Sequence, residues 1–126
     1  MAKKLVSGGS PYEPKLGYSR AVVQGNWCFI AGTTGADPVT KTFPESAELQ
    51  ARNALATIKT VLEGEGFTLN DVVRASYIIT DAALLEEIAP ALGDAFGDIR
   101  PAATMIVAGL VNPAMKVEIE VTALRG

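Results

Sequence analysis

The segment from Val117 to Leu124 constrains the fold more than any other part of the chain. Apolar side chains occupy its odd-numbered positions, and mainly polar ones occupy the even-numbered positions. Successive side chains of a β-strand point to opposite faces, so this alternation predicts a strand with one buried face. Glu118 and Glu120 then share the other face, about 7 Å apart along the strand.

A second apolar segment lies just before this one, from Arg100 to Leu110. The residues between the two segments are typical of a short loop and include Gly109, Asn112 and Pro113. Two strand segments separated by turn residues favour a hairpin. We therefore predict a closing β-hairpin with the carboxylate pair on one face.

The rest of the chain predicts four more strands and two helices. From turn residues, capping residues and hydrophobic periodicity we expect strands at 3–6, 18–24, 27–31 and 72–79, a helix from Ser46 to Glu65, and a helix after Asp81. Pro90 predicts a kink or a late restart of the second helix. A loop is expected before Gly17.

The resulting order, β-β-β-α-β-α-β-β, predicts a single α+β domain over residues 1–126. Strand–helix–strand crossovers favour parallel neighbours, whereas hairpins are antiparallel, so we expect a mixed sheet. The helices can cover only one face of such a sheet. Because the other face must also bury its apolar residues, a homo-oligomer is the simplest expectation.

Composition excludes several classes of site. The chain has a net charge of −3, no histidine and a single cysteine. Zinc sites of the usual ligand sets and nucleophilic systems that use histidine are therefore excluded. No basic face suited to nucleic acid is visible, no signal peptide is recognisable, and no apolar run is long enough to span a bilayer. We expect a cytoplasmic protein with no metal, no membrane association and no nucleic-acid partner.

Glu118 and Glu120 are the first candidates for chemistry. If a neighbouring chain covers their face, desolvation raises a carboxyl pKa and suits the group to general acid–base work. The alternative is a strand face that simply meets water. A sugar cleft usually needs aromatic platforms, and an aromatic content of 6% argues against a glycosidase.

Three other features could bind a ligand, and each has an ordinary structural alternative. Tyr18 could orient a ligand or pack at a sheet edge. The segment Gly32-Thr33-Thr34-Gly35 could hold a carbonyl oxygen or form only a turn. Arg100, just before Pro101, could bind a carboxylate or be an exposed loop residue. Cys28 is expected to be a buried structural thiol.

Five short motifs occur in an order and spacing that resembles a known family. They are Gly17-Tyr18-Ser-Arg-Ala-Val, Ile30-Ala-Gly-Thr33, Gln50-Ala-Arg-Asn53, Arg100-Pro-Ala-Ala-Thr104 and Val117-Glu-Ile-Glu120. Over nearly the whole chain, they resemble the reactive intermediate deaminase family, also called Rid, YjgF-like or endoribonuclease L-PSP. The resemblance implies a chorismate-mutase-like fold and a homotrimer with clefts between adjacent subunits.

The resemblance also implies an activity. Family members hydrolyse enamines and imines to keto acids and ammonia, and they use no metal or cofactor of their own. Glu118 falls at the position of the glutamate that helps to position the attacking water, and Tyr18 at that of a tyrosine lining the cleft. Gly32 falls on the cleft glycine, with Thr33 beside it. Glu120 is expected to be a supporting acid.

The chain lacks the arginine with which family members bind the substrate carboxylate. That arginine falls on Ala103, and a cysteine common two positions later falls on Met105. A charge-assisted hydrogen bond contributes about 1.5–3 kcal/mol, so its loss weakens the binding of a carboxylate substrate. Either Arg100 replaces the arginine, or the substrate carries no carboxylate, or the cleft does not hydrolyse imines.

We therefore expect a small-molecule hydrolase that deaminates an imine or enamine. Its expected catalytic residues are Glu118 and Tyr18, and its expected substrate-binding residues are Gly32, Thr33, Arg100, Ala103 and Met105. A non-catalytic, ligand-binding trimer is the alternative. An RNA-cleaving role has little support, because the chain has no histidine pair and no basic face.

Overall fold

Residues 2–126, which the computed structural model describes, form a six-stranded mixed sheet with the two longer helices on one face. In chain order, the elements are β1 (Lys4–Val6), α1 (Tyr12–Leu16), β2 (Ala21–Gln24), β3 (Trp27–Thr34), α2 (Ala47–Gly64), β4 (Val72–Ile79), α3 (Leu84–Phe96), β5 (Ala102–Val107) and β6 (Val117–Leu124). The order in the sheet is β1-β2-β3-β6-β4-β5. The predicted α+β class and mixed sheet are confirmed.

Strand β6 lies at the centre of the sheet and carries the core. It pairs antiparallel with β3 on one side and with β4 on the other. Its four odd-numbered side chains are at most 3% exposed, as the alternation predicts: Val117, Ile119, Val121 and Ala123. Helix α2 packs over β3 and β6, and α3 packs against α2.

The predicted closing hairpin is wrong, because β5 and β6 do not pair with each other. β6 lies between β3 and β4, whereas β5 lies at the sheet edge and runs parallel to β4. A strand–helix–strand crossover through α3 produces that parallel pair. Residues 108–116 then carry the chain past β4, and this connection is longer than the loop of a tight hairpin. Ala103 and Glu118 are therefore not on neighbouring strands.

The expected loop before Gly17 contains a short helix, α1. Pro14 lies in its first turn, where the missing N–H of proline costs no intrahelical hydrogen bond. Gly17 ends the helix in the left-handed conformation, with a φ of 76° that glycine adopts without strain. The amides of Gly17 and Tyr18 both donate to the carbonyl of Glu13, which fixes where Tyr18 leaves the helix.

The first hairpin is confirmed, but its boundaries differ from the prediction. β2 begins at Ala21, so Tyr18 lies in the connection that precedes the strand. β3 continues to Thr34, so the Gly32-Thr33-Thr34 segment is part of a strand rather than a turn. Pairing with β6 extends β3 beyond the point where the local sequence favours a turn.

The two longer helices follow their predicted positions. Ser46 caps α2, and its hydroxyl accepts a hydrogen bond of 3.1 Å from the Leu49 amide. α3 continues through Pro90 without a break, so the predicted late restart is wrong. Proline leaves the Glu86 carbonyl without its helical donor, but both residues are exposed and water can serve instead. None of the helices in the described chain is long and apolar enough to cross a bilayer.

Gln50, from one of the family-like motifs, fixes the connection between β5 and β6. Its buried side-chain amide donates to the carbonyls of Pro44, at 2.7 Å, and Ala114, at 2.9 Å. Its oxygen accepts a hydrogen bond of 2.9 Å from the Lys116 amide. A side chain at Gly35 would collide with the Gln50 backbone, so glycine is required where the end of β3 meets α2.

The sheet face opposite the helices exposes large apolar side chains. We call it the open face, and define it by Leu5, Trp27, Phe29, Ile106 and the even-numbered residues of β6. Leu5 is 61% exposed and Phe29 46%, and the rings of Trp27 and Phe29 stack with centroids 5.9 Å apart. Apolar exposure of this extent is typical of a surface that another molecule covers.

Candidate functional site

A β-bulge in β3 organises the region around the candidate residues. The register between β3 and β6 shifts between Ile30 and Thr33, so that Ala31 and Gly32 together lie opposite Glu120. A bulge leaves one residue outside the regular ladder and changes the direction of nearby side chains. It therefore makes the backbone of β3 available for contacts other than strand pairing.

The carboxylate of Glu118 lies directly against Gly32. A Cβ added to Gly32 would be 2.9 Å from Cδ of Glu118 and 3.0 Å from Oε1, which is closer than real Cβ atoms approach. Only glycine leaves space for the carboxylate in this position. Gly32 and Glu118, which the resemblance assigns to one cleft, thus lie against each other, and the contact explains why glycine is needed there.

Arg20 binds the bulge through its side chain. Its Nη2 donates to the carbonyls of Ala31, at 2.6 Å, and Gly32, at 2.8 Å, and to the Thr33 hydroxyl, at 2.9 Å. The Arg20 carbonyl also accepts a hydrogen bond of 3.0 Å from the Ala31 amide. No role for Arg20 is predicted from the sequence. Its place between Tyr18 and the hairpin was visible, but nothing local predicts a bulge in the next strand.

The electrostatic environment of Glu118 suits proton transfer. Burial raises its pKa above the ordinary value, the neighbouring charge of Glu120 raises it further, and the positive charge of Arg20 lowers it. Glu118 is partly buried, whereas Glu120 is exposed on the same face. A carboxyl group whose pKa lies closer to neutrality can both accept and return a proton.

A cleft of about 830 Å³ opens over Glu118, and we call it the Glu118 cleft. Residues from α1, the connection before β2, β3, β6 and the connection after β5 line it: Tyr12, Leu16, Tyr18, Arg20, Ala31, Gly32, Thr34, Val111, Asn112, Met115, Glu118 and Glu120. Tyr18, which is 40% exposed, borders the cleft with its ring. The structure therefore brings Tyr18, Gly32 and Glu118 to one place.

Thr33 occupies a different position from the one expected of a ligand-binding residue. Its side chain is 2% exposed, and its hydroxyl accepts from Arg20 and donates to the Ala31 carbonyl at 2.8 Å. Both hydrogen bonds hold the bulge. The adjacent Thr34, which pairs with Glu118, lines the Glu118 cleft instead.

Ala103 and Met105 lie on the opposite face of the sheet from Glu118. In the parallel pair of β4 and β5, Ala103 is in register with Ala75 and Met105 with Tyr77, and both β4 residues are buried on the helix side. Met105 is partly buried against the core. Within one chain, Ala103 and Glu118 therefore cannot contact the same small molecule.

Ala103 shares a second, shallower groove with Arg100. This Ala103 groove has a volume of about 320 Å³ and lies between the end of α3 and β5. Arg100 has a φ of 54°, an unusual conformation for a residue with a side chain, and its amide donates to the Phe96 carbonyl at 2.8 Å. Within residues 2–126, its guanidinium group forms no ion pair.

The acidic and cysteine residues of the described chain do not gather at a metal-like site. No group of three or more histidine, cysteine, aspartate or glutamate side chains in residues 2–126 is arranged to hold a metal ion. Cys28 is buried, and burial raises the pKa of its thiol to about 11. A thiol with that pKa is almost entirely protonated at neutral pH and is a poor nucleophile.

Comparison with known proteins gives a consistent family. The sequence profile described as endoribonuclease L-PSP matches residues 9–125. A RutC family protein of Pyrococcus horikoshii, PH0854, is 30% identical over 124 residues, which covers 98% of both chains. A RutC family protein of Leuconostoc mesenteroides is 30% identical over 130 residues, which cover 99% of this chain and 100% of the Leuconostoc protein.

Solved structures agree with these relatives. Rv2704 of Mycobacterium tuberculosis, a member of the YjgF/YER057c/UK114 family, is 38% identical with a TM-score of 0.88, covering 98% of this chain and 100% of the other. RidA from an Antarctic Psychrobacter is 27% identical with a TM-score of 0.81, covering 97% and 94%. The fold expected from the resemblance is therefore confirmed over almost the whole chain.

Replacing Gly32 with alanine tests the contact with Glu118. Gly32 does not have a positive φ, so alanine fits the backbone, but its Cβ must displace the flexible end of Glu118. We expect Gly32→Ala to fold and the pKa of Glu118 to fall towards its ordinary value, as the carboxylate moves into solvent. Carboxyl ¹³C NMR titration of labelled glutamate measures that pKa.

Gly64→Ala is the matched control, because a Cβ at Gly64 meets no atom within 4 Å. The control should leave the pKa of Glu118 unchanged. An unchanged pKa in Gly32→Ala would show that the carboxylate does not lie over Gly32.

Proposed function

Because the chain belongs to the endoribonuclease L-PSP family, we propose that it hydrolyses a small imine or enamine and releases ammonia. Family membership supports a protein that acts on small molecules. The observation that carries the finer proposal is the Glu118 carboxylate, which lies against Gly32 in a cleft bordered by Tyr18. The proposal includes no cofactor, since a carboxylate and water supply the groups that the reaction needs.

In the proposed reaction, an enamine first tautomerises to the imine, as a proton moves from its nitrogen to its terminal carbon, and the oxygen of water then bonds to the carbon of the C=N group. Glu118 takes a proton from this water and passes it to the nitrogen, which gives a carbinolamine. Glu118 then moves the hydroxyl proton to the nitrogen, the C–N bond breaks, ammonia leaves and a C=O group forms. The raised pKa of Glu118 suits a group that takes and returns a proton twice in one turnover. Tyr18 orients the substrate.

The proposed active form is a cytoplasmic homotrimer in which adjacent subunits complete each site. Two observations support the trimer: the exposed apolar side chains of the open face, and the division of the candidate residues between two faces of the sheet. In this arrangement, the Ala103 groove of one subunit faces the Glu118 cleft of the next. The Ala103 groove then contributes Arg100 to the site, and Met105 follows two residues later on β5.

Arg100 supplies the carboxylate contact that Ala103 cannot make. It lies in the same groove as Ala103, its side chain is exposed, and it has no ion-pair partner in the described chain. The left-handed backbone of Arg100 costs about 1 kcal/mol relative to glycine, which is consistent with a functional role for the arginine side chain. A substrate without a carboxylate is the other solution to the absence of an arginine at Ala103.

A ligand-binding trimer without catalytic activity is the second candidate function. Ala103 is the observation that favours it, because the residue expected to grip the substrate has no polar group. In that case, a saturating small molecule would be recovered chemically unchanged after incubation with the protein. The family name also includes ribonuclease activity, but a net charge of −3 and the absence of histidine give that activity little support.

Ammonia release tests the proposed hydrolysis. The parent chain should accelerate it from freshly generated 2-aminoacrylate or from an uncharged imine, and Glu118→Gln should lower kcat by about 100-fold or more. Activity should rise with pH through the pKa of Glu118, since the reaction begins with the ionised carboxylate. Glu63→Gln removes an exposed acid from α2 and serves as the control.

As pH rises through the pKa of Glu118, the contribution of this group to stability should fall while activity rises. A raised pKa means that the folded state disfavours ionised Glu118, so this group's contribution to stability is lost as pH rises through its folded pKa. Glu118→Gln should therefore be more stable than the parent at neutral pH, with the difference vanishing in acid. If Glu118→Gln is as active as the parent, the mechanism is wrong.

Replacing Arg100 with glycine distinguishes a substrate whose carboxylate binds Arg100 from a substrate without a carboxylate. We expect Arg100→Gly to raise KM for a carboxylate-bearing imine by about tenfold or more and to leave KM for an uncharged imine unchanged. The free energy of unfolding should rise by about 1 kcal/mol, because glycine relieves the positive φ. Lys41→Gly, at a second positive φ of 62°, should gain stability without any change in KM. If Arg100→Gly leaves KM for the carboxylate-bearing imine unchanged, Arg100 does not bind the carboxylate.

A further inference from the structure

We propose that Arg20 is a positioning residue for the hydrolysis, because it holds the β3 bulge in the shape that places Gly32 under the Glu118 carboxylate. This inference rests on the proposed function of the Glu118 cleft. Arg20 does not contact the reacting atoms in this account. It acts through Gly32, and it also places one positive charge in the cleft that Glu118 and Glu120 line.

The hydrogen bonds of Arg20 meet a need that the bulge creates. Residues of a bulge lose regular ladder partners, so their backbone groups require others. Arg20 Nη2 donates to the carbonyls of Ala31 and Gly32 at 2.6 and 2.8 Å, and the Arg20 carbonyl accepts from the Ala31 amide at 3.0 Å. A single residue therefore satisfies both carbonyls and one amide of the bulge.

The N-terminal part of the chain fixes the stem of Arg20. A Cβ at Gly8 would be 3.2 Å from Cδ of Arg20, so the loop before α1 packs closely on this side chain. The Gly8 amide donates at 2.8 Å to Glu13, whose side chain is buried. Arg20 Nε is buried and has no hydrogen-bond partner in the described chain, which is unfavourable. Nε therefore carries an unfavourable burial, whereas Nη2 of the same guanidinium group forms the hydrogen bonds that hold the bulge.

Two charges act on Glu118, that of Glu120 on the same strand and that of Arg20 before β2. Tyr18 also borders the cleft. The strand neighbours of Glu118 are Thr34 on β3 and Ile78 on β4, and neither titrates near neutral pH. Arg20 therefore opposes the repulsion between the two acids, and it stays protonated at neutral pH although burial lowers its pKa.

Two substitutions separate the shape of the bulge from the charge. Arg20→Lys keeps the charge on a side chain that ends one bond nearer the backbone, so its ammonium group does not reach the position from which Nη2 binds the bulge. It should lower kcat by about 10- to 100-fold with little change in KM, and it should lower the pKa of Glu118, because the carboxylate is no longer held over Gly32 while the charge remains. Arg20→Gln should lower kcat similarly, and its Glu118 should have a higher pKa than in Arg20→Lys, because the opposing charge is also gone.

Two further variants calibrate the measurement. Arg52→Gln makes the same change in net charge on α2, where Arg52 pairs with Glu48 and Asp94. It should change neither kcat nor the pKa of Glu118. Glu120→Gln should lower the pKa of Glu118, because it removes a negative charge, whereas removing the positive charge of Arg20 acts in the opposite direction.

The NMR titration keeps this inference separate from the proposed function. If the parent releases no ammonia, the proposed function fails, and the pKa of Glu118 in Arg20→Lys still decides the role of Arg20, because this variant keeps the charge. A pKa lower than that of the parent supports the inference, and an unchanged pKa overturns it. With an active parent, full kcat in Arg20→Lys also overturns it. If Arg20→Gln does not fold, kcat of Arg20→Lys decides.

Discussion

The packing of the Glu118 carboxylate against Gly32, where a Cβ would collide with it, is the interaction on which the candidate site depends. It requires a residue without a side chain, a bulge that brings this residue beneath the carboxylate, and a group that satisfies the backbone of the bulge. Arg20 is that group, and Thr33 completes the network with its hydroxyl. The same contact partly buries Glu118 and raises its pKa, so the local fold and the proposed chemistry have one physical origin.

The position of β6 determines how the rest of the site is distributed. Because β6 is inserted between β3 and β4, its buried side chains face both long helices and its glutamates face away from them. β5 is left at the edge, and Ala103 points to the helix side. The candidate residues of a single chain therefore lie on two opposite faces of the sheet. The proposed symmetric assembly would bring these two groups of residues together and would cover the apolar open face.

Much of the architecture could be predicted from the sequence, because periodicity reports which face a residue occupies. The alternation in β6 and the Ser46 cap of α2 both appear in the structure. Periodicity does not report which strands are neighbours, so the β5–β6 hairpin was a wrong prediction. Glu118, Gly32 and Tyr18 could be identified through the family resemblance. Arg20 could not, because its partners lie in a bulge that forms only when β3 pairs with β6.

Mixing two inactive variants tests most directly whether adjacent subunits complete the site. Glu118→Gln removes the proposed base, and Ala103→Trp fills the Ala103 groove. If each site takes Glu118 from one subunit and the groove from the next, co-refolding equal amounts should restore about one quarter of the parent's ammonia-releasing activity, because each intact half occurs with probability of about one half. If a single chain supplies both halves, no mixed site is intact. Activity no higher than that of the separate variants would contradict the account.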